Sequence, residues 1–316
     1  MIPVIFNIHV EPDERIIPYK KKRWFGYENL HTYLNEIRPK LEKASGKTVQ
    51  FNWLFRLDPQ IKEVYGSYDW ALKNYSALID ESKLSGDDFG VHIHSWRPHK
   101  SWLKKTWVAD FSDEIWIEDC VKNAHKAFNE YFKFLPTYFT FGDAFMSDRL
   151  LTQLEDLGFR CDVTMWPNRP RIKRFVKKEL SVGFLPSFED TPRKPFKPSY
   201  KDFTRPIGGD ERKIWQIPVS VATLNTADQD YPEKLLLGIP FDRIPEIVED
   251  GLSLPYPYLL AEMRTDVRMD KYNCKQFDLA LDYLLNHPSV GDMNFFGMNR
   301  FIDYLESSNY RSSNYS

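Results

Sequence analysis

Two short strings of this sequence carry side chains that bind metals. His9 and Glu11 stand two residues apart at the end of the apolar run that begins at Val4, and His92 and His94 have the same spacing in the string GVHIHSW. Because successive side chains of a β-strand point to opposite faces, the two members of each pair share a face. Three imidazoles and one carboxylate on converging strands form a ligand set for a divalent transition metal. Zinc is the default, and manganese, iron or nickel are alternatives.

The same residues have a second interpretation that needs no metal, since they could form a hydrogen-bonded polar cluster that stabilises loops. A metal with open coordination positions lowers the pKa of bound water to about 7 and polarises a carbonyl, which suits hydrolysis of an amide or ester. The sequence has no Gly-x-Ser-x-Gly elbow, and Cys120, Cys161 and Cys274 lack a local nucleophile signature. Covalent nucleophilic catalysis is therefore not indicated.

Short apolar runs alternate with longer amphipathic stretches along the chain. The predicted strands are Val4–Val10, Phe51–Phe55, Phe89–Ile93, Thr137–Phe141, Asp162–Met165, Ile214–Val219, Tyr256–Ala261 and Met293–Phe296. The predicted helices are Tyr27–Ala44, Tyr68–Ser82, Glu114–Phe132, Asp148–Leu157, Arg243–Asp250 and Lys275–Leu285.

This alternation predicts a parallel sheet, and at this length a closed (β/α) barrel, which would bring both histidine strings to one rim. An open doubly wound sheet is the alternative. That fold usually carries a G-x-G-x-x-G after a strand, and this sequence has none.

The overall composition is that of a soluble globular protein. The 316 residues are 42% hydrophobic, and 43 basic against 45 acidic residues leave a formal charge of -2, which argues against a nucleic-acid partner. No stretch approaches the roughly 18 apolar residues of a membrane span. The first residues lack the basic region of a signal peptide, and the three cysteines are widely spaced, so we expect a cytoplasmic protein.

Residues 167–213 interrupt the alternation and hold seven of the 21 prolines and 13 Lys or Arg against six Asp or Glu. This segment is either a solvated insertion in the barrel domain of residues 1–306 or an anion-binding flap suited to a phosphate or pyrophosphate. Residues 307–316 repeat Ser-Ser-Asn-Tyr and are expected to be a disordered tail. The basic side chains are densest at Arg169, Arg171, Lys173, Arg174, Lys177 and Lys178.

These strings resemble the motifs of the polysaccharide deacetylases, whose NodB-like fold is a distorted (β/α)7 barrel. HVE at residues 9–11 stands where that family has Asp-Asp or Asp-x-Glu, and GVHIHSW resembles a branch with His-x-His-Pro-Trp. FTFG at 139–142, followed by the helix and then Asp162, follows the order of the third motif, and WQIPV at 215–219 matches a late strand. The likeness covers most of residues 3–305.

The resemblance implies a divalent metal held by His9, Glu11, His92 and His94, with His9 also standing at the position of the family's catalytic base. Asp143 and Arg264 are further catalytic candidates. This sequence also departs from the family, because Thr140 replaces an arginine of the third motif and residues 258–266 contain no histidine. Additional charged residues are expected near the rim, either in the site or in structural ion pairs: Arg56, Asp58, Glu262 and Asp266.

Three functions are compatible with these observations. The first is a metal-dependent deacylase for an N- or O-acylated sugar or sugar phosphate, such as an activated or lipid-linked precursor of a surface polysaccharide, with peripheral contact to the lipid-linked substrate. The second is a barrel that has lost the chemistry and binds a glycan or serves as a scaffold. The third is a different metal-dependent reaction. Four tryptophans are candidates for stacking on sugar rings: Trp96, Trp102, Trp107 and Trp166.

Overall fold

A computed structural model describes residues 1–14, 16–17, 23–100, 105–173, 181–225, 230–238, 240–267 and 271–307. The strands are β1 Ile2–Val10, β2 Asn52–Arg56, β3 Asp88–Ile93, β4 Trp96–Lys100, β5 Lys105–Asp110, β6 Tyr138–Phe141, β7 Cys161–Asp162, β8 Ser181–Val182, β9 Trp215–Gln216, β10 Val221–Asn225, β11 Asp230–Lys234, β12 Leu259–Arg264 and β13 Met293–Phe295. The α-helices are α1 Phe25–Ser45, α2 Pro59–Tyr65, α3 Trp70–Asn74, α4 Ser76–Leu84, α5 Glu114–Phe132, α6 Asp148–Asp156, α7 Ile244–Leu252, α8 Lys271–Leu285 and α9 Met298–Glu306.

A parallel sheet in the order β12-β1-β2-β3-β6-β7-β9 forms the centre of the molecule, and β13 pairs with the first residues of β1. The sheet is curled into a half-barrel. Past β9, backbone hydrogen bonds such as Ser220 N to Leu260 O (3.1 Å) and Leu237 N to Glu262 O (2.8 Å) join it to β12. The predicted distorted α/β barrel architecture is confirmed.

The apolar composition of β1 explains why this strand lies in the centre of the sheet. All its residues after Ile2 are buried, on both faces of the strand, because the barrel interior covers one face and helices cover the other. Helix α5 shows how the outer layer forms. The Asp113 carboxylate accepts a hydrogen bond from Trp116 N at the start of the helix, and Ile117, Val121, Ala124 and Phe128 form its buried stripe.

The prediction of a single helix over Tyr68–Ser82 is wrong, since this region holds the two short helices α3 and α4, with α2 before them. Asp58 caps α2 by accepting hydrogen bonds from the backbone N–H groups of Gln60 and Ile61, and Pro59 occupies the first helical turn. Gly66, with a φ of 101°, then ends α2. The strand predicted from Tyr256 begins only at Leu259, because Pro255 and Pro257 lack the N–H groups that a central strand must donate.

Two small sheets lie outside the barrel and were not predicted from the sequence. Strands β4, β5 and β8 form one of them, and the hairpin β10–β11 forms the other. Strand β4 begins two residues after His94, so the first small sheet grows from the rim where the histidine string ends. Among the described helices, none has both the length and the apolar character needed to cross a bilayer.

Candidate metal centre

Strand order places the two histidine strings beside each other. Strand β2 lies between β1 and β3, with Leu54 opposite His9 and Arg56 opposite His92, and all three strands end at the same rim. One ligand atom from each of His9, Glu11 and His92 lies within 4.8 Å of the others, and all three side chains are buried. The sequence prediction that these residues converge is therefore met by the geometry.

His94 extends this group. Its Nε2 atom lies 3.1 Å from His92 Nε2 and 3.3 Å from Glu11 Oε2. These are the separations of neighbouring donors around a tetrahedral zinc, where metal–nitrogen bonds of about 2.0–2.1 Å place the donors about 3.3 Å apart. The other ring nitrogen, Nδ1, lies 2.8 Å from Asp143 Oδ2. Histidine ligands usually donate this second N–H to a carboxylate, so His94 has the surroundings of a metal ligand.

Gly142 provides the space for the two imidazoles. A Cβ atom at this position would collide with the rings of both His92 and His94. The backbone N–H of Gly142 donates to Ile93 O (2.9 Å), which fixes the turn after β6 against the end of β3. The need for this space explains why the FTFG string ends in a glycine.

Two buried nitrogen atoms in the group have no hydrogen-bond partner among the described residues, His9 Nε2 and His92 Nδ1. Buried polar atoms without a partner are rare in folded proteins, because each one costs its lost hydration. Burial lowers the pKa of His9 to about 4 and the pKa of His92 well below its usual value. Both imidazoles are therefore neutral at pH 7, the form that binds a metal, so the donor set fits one.

Two guanidinium groups flank the Glu11 carboxylate. Arg56 on β2 places Nη1 3.6 Å from Oε2, and Arg264 on β12 places Nε 3.4 Å from Oε1. Burial alone would raise the pKa of Glu11, but Arg264 and the hydrogen bond from His94 hold it well below the usual range. The backbone of Glu11 is fixed as well, since its N–H donates to Thr265 Oγ1 (2.7 Å) and its carbonyl accepts from the same hydroxyl (2.6 Å).

Each of these arginines also pairs with a second carboxylate. Arg56 is fully buried and donates to Asp58 Oδ2 (2.6 Å) and Gln60 Oε1 (2.5 Å). Arg264 donates to Asp266 Oδ2 (2.6 Å) and is the more accessible of the two, with 20% of its side chain exposed. Both rim arginines are thus held in place independently of Glu11.

A further ion pair lies beside His9. Glu262, two residues before Arg264 on β12, pairs with Lys234 of β11, and the Lys234 ammonium lies 5.3 Å from the centre of the Trp166 ring. Burial would raise the pKa of Glu262, but Lys234 and His9 lower it. Lys234 was missed by the sequence analysis because its hairpin was not predicted.

The charges of this cluster favour a bound cation. Its three cations are Arg56, Lys234 and Arg264, and its five carboxylates are Glu11, Asp58, Asp143, Glu262 and Asp266. With neutral histidines the excess is two negative charges, which a divalent cation would balance. Burial lowers the pKa of His94, but the Asp143 charge and the hydrogen bonds with Asp143 and Glu11 together raise it above its usual value.

The structure therefore brings together all the predicted site residues. His9, Glu11, His92 and His94 converge, while Asp143 joins through His94 and Arg264 through Glu11. Strand β6 does carry Thr140 beside His92, where the resemblance implied an arginine, and the guanidinium groups come instead from β2 and β12.

Three of the four expected sugar-stacking tryptophans are described, and none of these three is exposed. Trp96, Trp107 and Trp166 are all buried, because they form part of the core beneath the small sheets, and Trp102 lies outside the described residues. The indole of Trp166 donates to Pro232 O (3.1 Å), which anchors the β10–β11 hairpin. These rings support the loops around the site and do not offer an open surface to a sugar.

The basic segment divides into two kinds of residue. Arg169 is fully buried and donates to the carbonyls of Ala144 (3.0 Å) and Pro186 (2.7 Å), so the expectation that it belongs to an exposed anion-binding flap is wrong. Arg171 and Lys173 are exposed. The remaining members, Arg174, Lys177 and Lys178, lie outside the described residues.

Of the comparisons with known proteins, the one with solved structures gives information on the fold. No family model matches the sequence, and no curated protein matches it either. Among solved structures, the chain is similar to a candidate glycoside hydrolase/deacetylase from Parabacteroides distasonis (12% identity, TM-score 0.60, 96% of this chain and 71% of that chain). It is also similar to a candidate polysaccharide deacetylase from Pseudomonas aeruginosa PAO1 (12%, 0.53, 98% and 92%) and to Puue allantoinase (12%, 0.54, 98% and 91%). The chain has the fold of the NodB-like polysaccharide deacetylases.

Proposed function

We propose that this protein is a metal-dependent deacylase that hydrolyses the N- or O-linked acyl group of a sugar. The observation that carries the proposal is the convergence of His9, Glu11, His92 and His94 at the rim of a deacetylase fold. These four residues would hold a divalent transition metal, with zinc the first choice. Such a metal, when bound, supplies a water of lowered pKa and polarises the acyl carbonyl.

The surrounding residues have separate tasks in this proposal. Asp143 fixes the ring of His94 through Nδ1, and Arg56 keeps Glu11 ionised and oriented. Arg264 is partly exposed, so its guanidinium can donate a hydrogen bond to the substrate oxygen that gains negative charge. His9 is either a metal ligand or the base that accepts a proton from water. Both roles require a neutral imidazole, and the lowered pKa of His9 keeps the ring neutral at pH 7.

The proposed substrate is an acylated sugar carried on a nucleotide or a lipid pyrophosphate, processed in the cytoplasm during surface polysaccharide biosynthesis. The exposed cations of the basic segment, Arg171 and Lys173, support an anionic carrier. The comparisons support the deacetylase fold, and the choice of carrier depends on these two side chains alone.

A second candidate is a barrel that binds glycans without chemistry. The observation that favours it is the pair of guanidinium groups on Glu11, because Arg56 and Arg264 already balance its charge when no metal is bound. The two candidates differ in whether removal of metal abolishes the measured function.

The experiment that tests the proposal is acetate release from N- and O-acetylated sugars in free, nucleotide-linked and lipid-pyrophosphate-linked forms. We expect release by metal-loaded protein, loss after chelation and recovery on addition of zinc. No release from any substrate by fully metal-loaded protein would contradict the proposal. Metal-independent glycan binding, measured by calorimetry on the same panel, would then favour the second candidate.

A further inference from the structure

The backbone of Glu11 lies just beyond the hydrogen-bonded part of β1. The parallel register of β1 with β12 ends at His9 opposite Arg264. Glu11 stands two residues further on, and Pro12, which follows it, has no N–H group to donate. Because Glu11 is buried, its own backbone N–H and carbonyl need hydrogen-bond partners that the ladder of β1 and β12 does not supply.

A single hydroxyl group supplies both partners. Thr265 Oγ1 accepts a hydrogen bond from Glu11 N (2.7 Å) and donates one to Glu11 O (2.6 Å). Thr265 is fully buried and begins the short 3-10 helix Thr265–Val267 that follows β12. We call this pair of hydrogen bonds the Thr265 clasp. The two residues are 254 positions apart in the sequence, so the clasp depends on the pairing of β1 with β12.

The Glu11 carboxylate has several neighbours that attract it. Its Oε2 atom lies 3.3 Å from His94 Nε2 and 3.6 Å from Arg56 Nη1. Its Oε1 atom lies 3.4 Å from Arg264 Nε. A rotation toward the arginines would carry the carboxylate away from the histidine donors. Metal–oxygen bonds are about 2.0–2.2 Å long, and a site must hold its ligands to within about 0.5 Å, so such a rotation would weaken coordination.

We propose that Thr265 is a positioning residue of the metal centre, and that the Thr265 clasp aims the Glu11 carboxylate at the metal. The clasp holds the N–H and the carbonyl of the same residue, so it fixes the main chain on both sides of the Glu11 Cα atom. Threonine suits this task because its branched Cβ atom restricts the rotation that directs the hydroxyl. The inference rests on the proposed metal centre, but it concerns metal binding and does not require hydrolysis.

A clasp that only stabilises the fold would behave differently. Loss of the hydroxyl would then leave two buried backbone groups without partners and lower the free energy of unfolding, with no separate effect on the metal. A clasp that positions Glu11 should also change the affinity for the metal and the geometry of its coordination. These two quantities can be measured on folded protein, without any assay of turnover.

The first test replaces Thr265 by residues with and without a hydroxyl. Thr265→Val keeps the shape of the side chain and should lower zinc affinity roughly 10–100-fold, the usual effect of losing a contact behind a metal ligand. Thr265→Ser keeps the hydroxyl and should restore an affinity close to that of the wild type. Competition with a zinc-binding dye measures the affinities, and circular dichroism verifies that each variant is folded.

Two further measurements report on the geometry directly. With cobalt(II) in place of zinc and at saturation, the visible spectrum of Thr265→Val should differ from that of the wild type, while the spectrum of Thr265→Ser should match it. Without metal, hydrogen exchange followed by nuclear magnetic resonance should show faster exchange of the Glu11 amide in Thr265→Val, because its acceptor is lost.

Ser220→Ala is the matched control at the other end of β12. The Ser220 hydroxyl accepts a hydrogen bond from Leu260 N (2.9 Å) and donates one to Tyr258 O (3.5 Å). Leu260 pairs with Ile5, four residues before His9, so this hydroxyl supports β12 far from the metal donors. Its loss should lower the urea midpoint of unfolding and leave the zinc affinity and the cobalt spectrum unchanged.

Three results would overturn the inference: wild-type zinc affinity in Thr265→Val, an equal loss of affinity in Ser220→Ala, or no recovery in Thr265→Ser. A wild type that binds no metal would contradict the proposed metal centre and this role of Thr265 with it. Metal binding with the expected effect of Thr265→Val, but without acetate release from any sugar, would contradict the proposed reaction alone. Failure of one proposal is therefore distinguishable from failure of the other.

Discussion

Two buried polar clusters in this molecule differ in how completely their atoms are paired. Away from the rim, the Asp87 carboxylate accepts hydrogen bonds from Arg38 Nη1 (2.9 Å) and Nη2 (2.8 Å), from Phe51 N (2.9 Å) and from Trp53 Nε1 (2.9 Å). Its acceptor positions are filled. At the rim, by contrast, His9 Nε2 and His92 Nδ1 have no described partner.

This difference separates a structural cluster from a binding site. Filled hydrogen bonds around Asp87 repay the cost of burying its charge and tie α1 to β2 and the start of β3. The rim cluster is buried at a similar cost, yet its imidazoles are not satisfied by the protein alone. For His9 Nε2, such a deficit is expected where a ligand completes the coordination. The comparison predicts that substitutions in the two clusters affect different quantities.

The largest expected effect comes from His9→Ala. If His9 is a base, metal content is retained and turnover falls roughly 10²–10⁴-fold. We expect instead that His9 is a ligand, because it belongs to the group with ligand atoms within 4.8 Å, so metal occupancy and acetate release should fall together. His31→Ala, which removes a buried histidine bonded to Ser82 and the Leu78 carbonyl, is the control and should leave the metal content unchanged.

Asp87→Asn should lower the stability and leave the metal content unchanged, whereas His9→Ala should lower the metal content. Breaking the buried pair with Arg38 is expected to lower the free energy of unfolding by about 3 kcal/mol, measured by urea denaturation. Metal content per folded chain should stay at the wild-type value. A large loss of metal with little loss of stability would show that the two clusters are not distinct in the way proposed here.

The smallest of these effects is expected for Asp143→Asn. This change keeps the shape of the side chain but weakens the hydrogen bond at 2.8 Å that orients His94. Zinc affinity should fall roughly 10–100-fold, the usual effect of disturbing a carboxylate behind a histidine ligand. Asp110→Asn, which changes a buried carboxylate bonded to Ser112, is the matched control. Unchanged zinc affinity in Asp143→Asn would remove Asp143 from the site.

Much of the barrel was predictable from the sequence because its elements have strong local signals. Helix α5 has its predicted bounds, Glu114–Phe132, and α6 begins after the predicted Ser147 cap, whose hydroxyl accepts from Leu150 N. The small sheets were missed because β8 has only two residues and β10–β11 lacks a clear apolar alternation. Helix α9, Met298–Glu306, was also missed, although its buried residues recur at helical spacing.

The site was predictable only where one strand supplies two candidate ligands. The spacing of His9 with Glu11 and of His92 with His94 indicates shared faces, and the structure bears this out. The Lys234–Glu262 pair and the approach of Arg56 to Glu11 depend on contacts between distant segments. No local pattern encodes such contacts, so Arg56 and Glu262 could be suggested as rim charges at most, and Lys234 was missed.

Metal analysis of the purified protein tests the central claim most directly. After incubation with zinc and dialysis, the wild type should contain about one metal ion per chain, and His92→Ala with His94→Ala should contain essentially none, because two donors are lost together. Elemental analysis by mass spectrometry on folded samples gives both values. A wild type without metal, or a double variant that retains a full equivalent, would contradict the account.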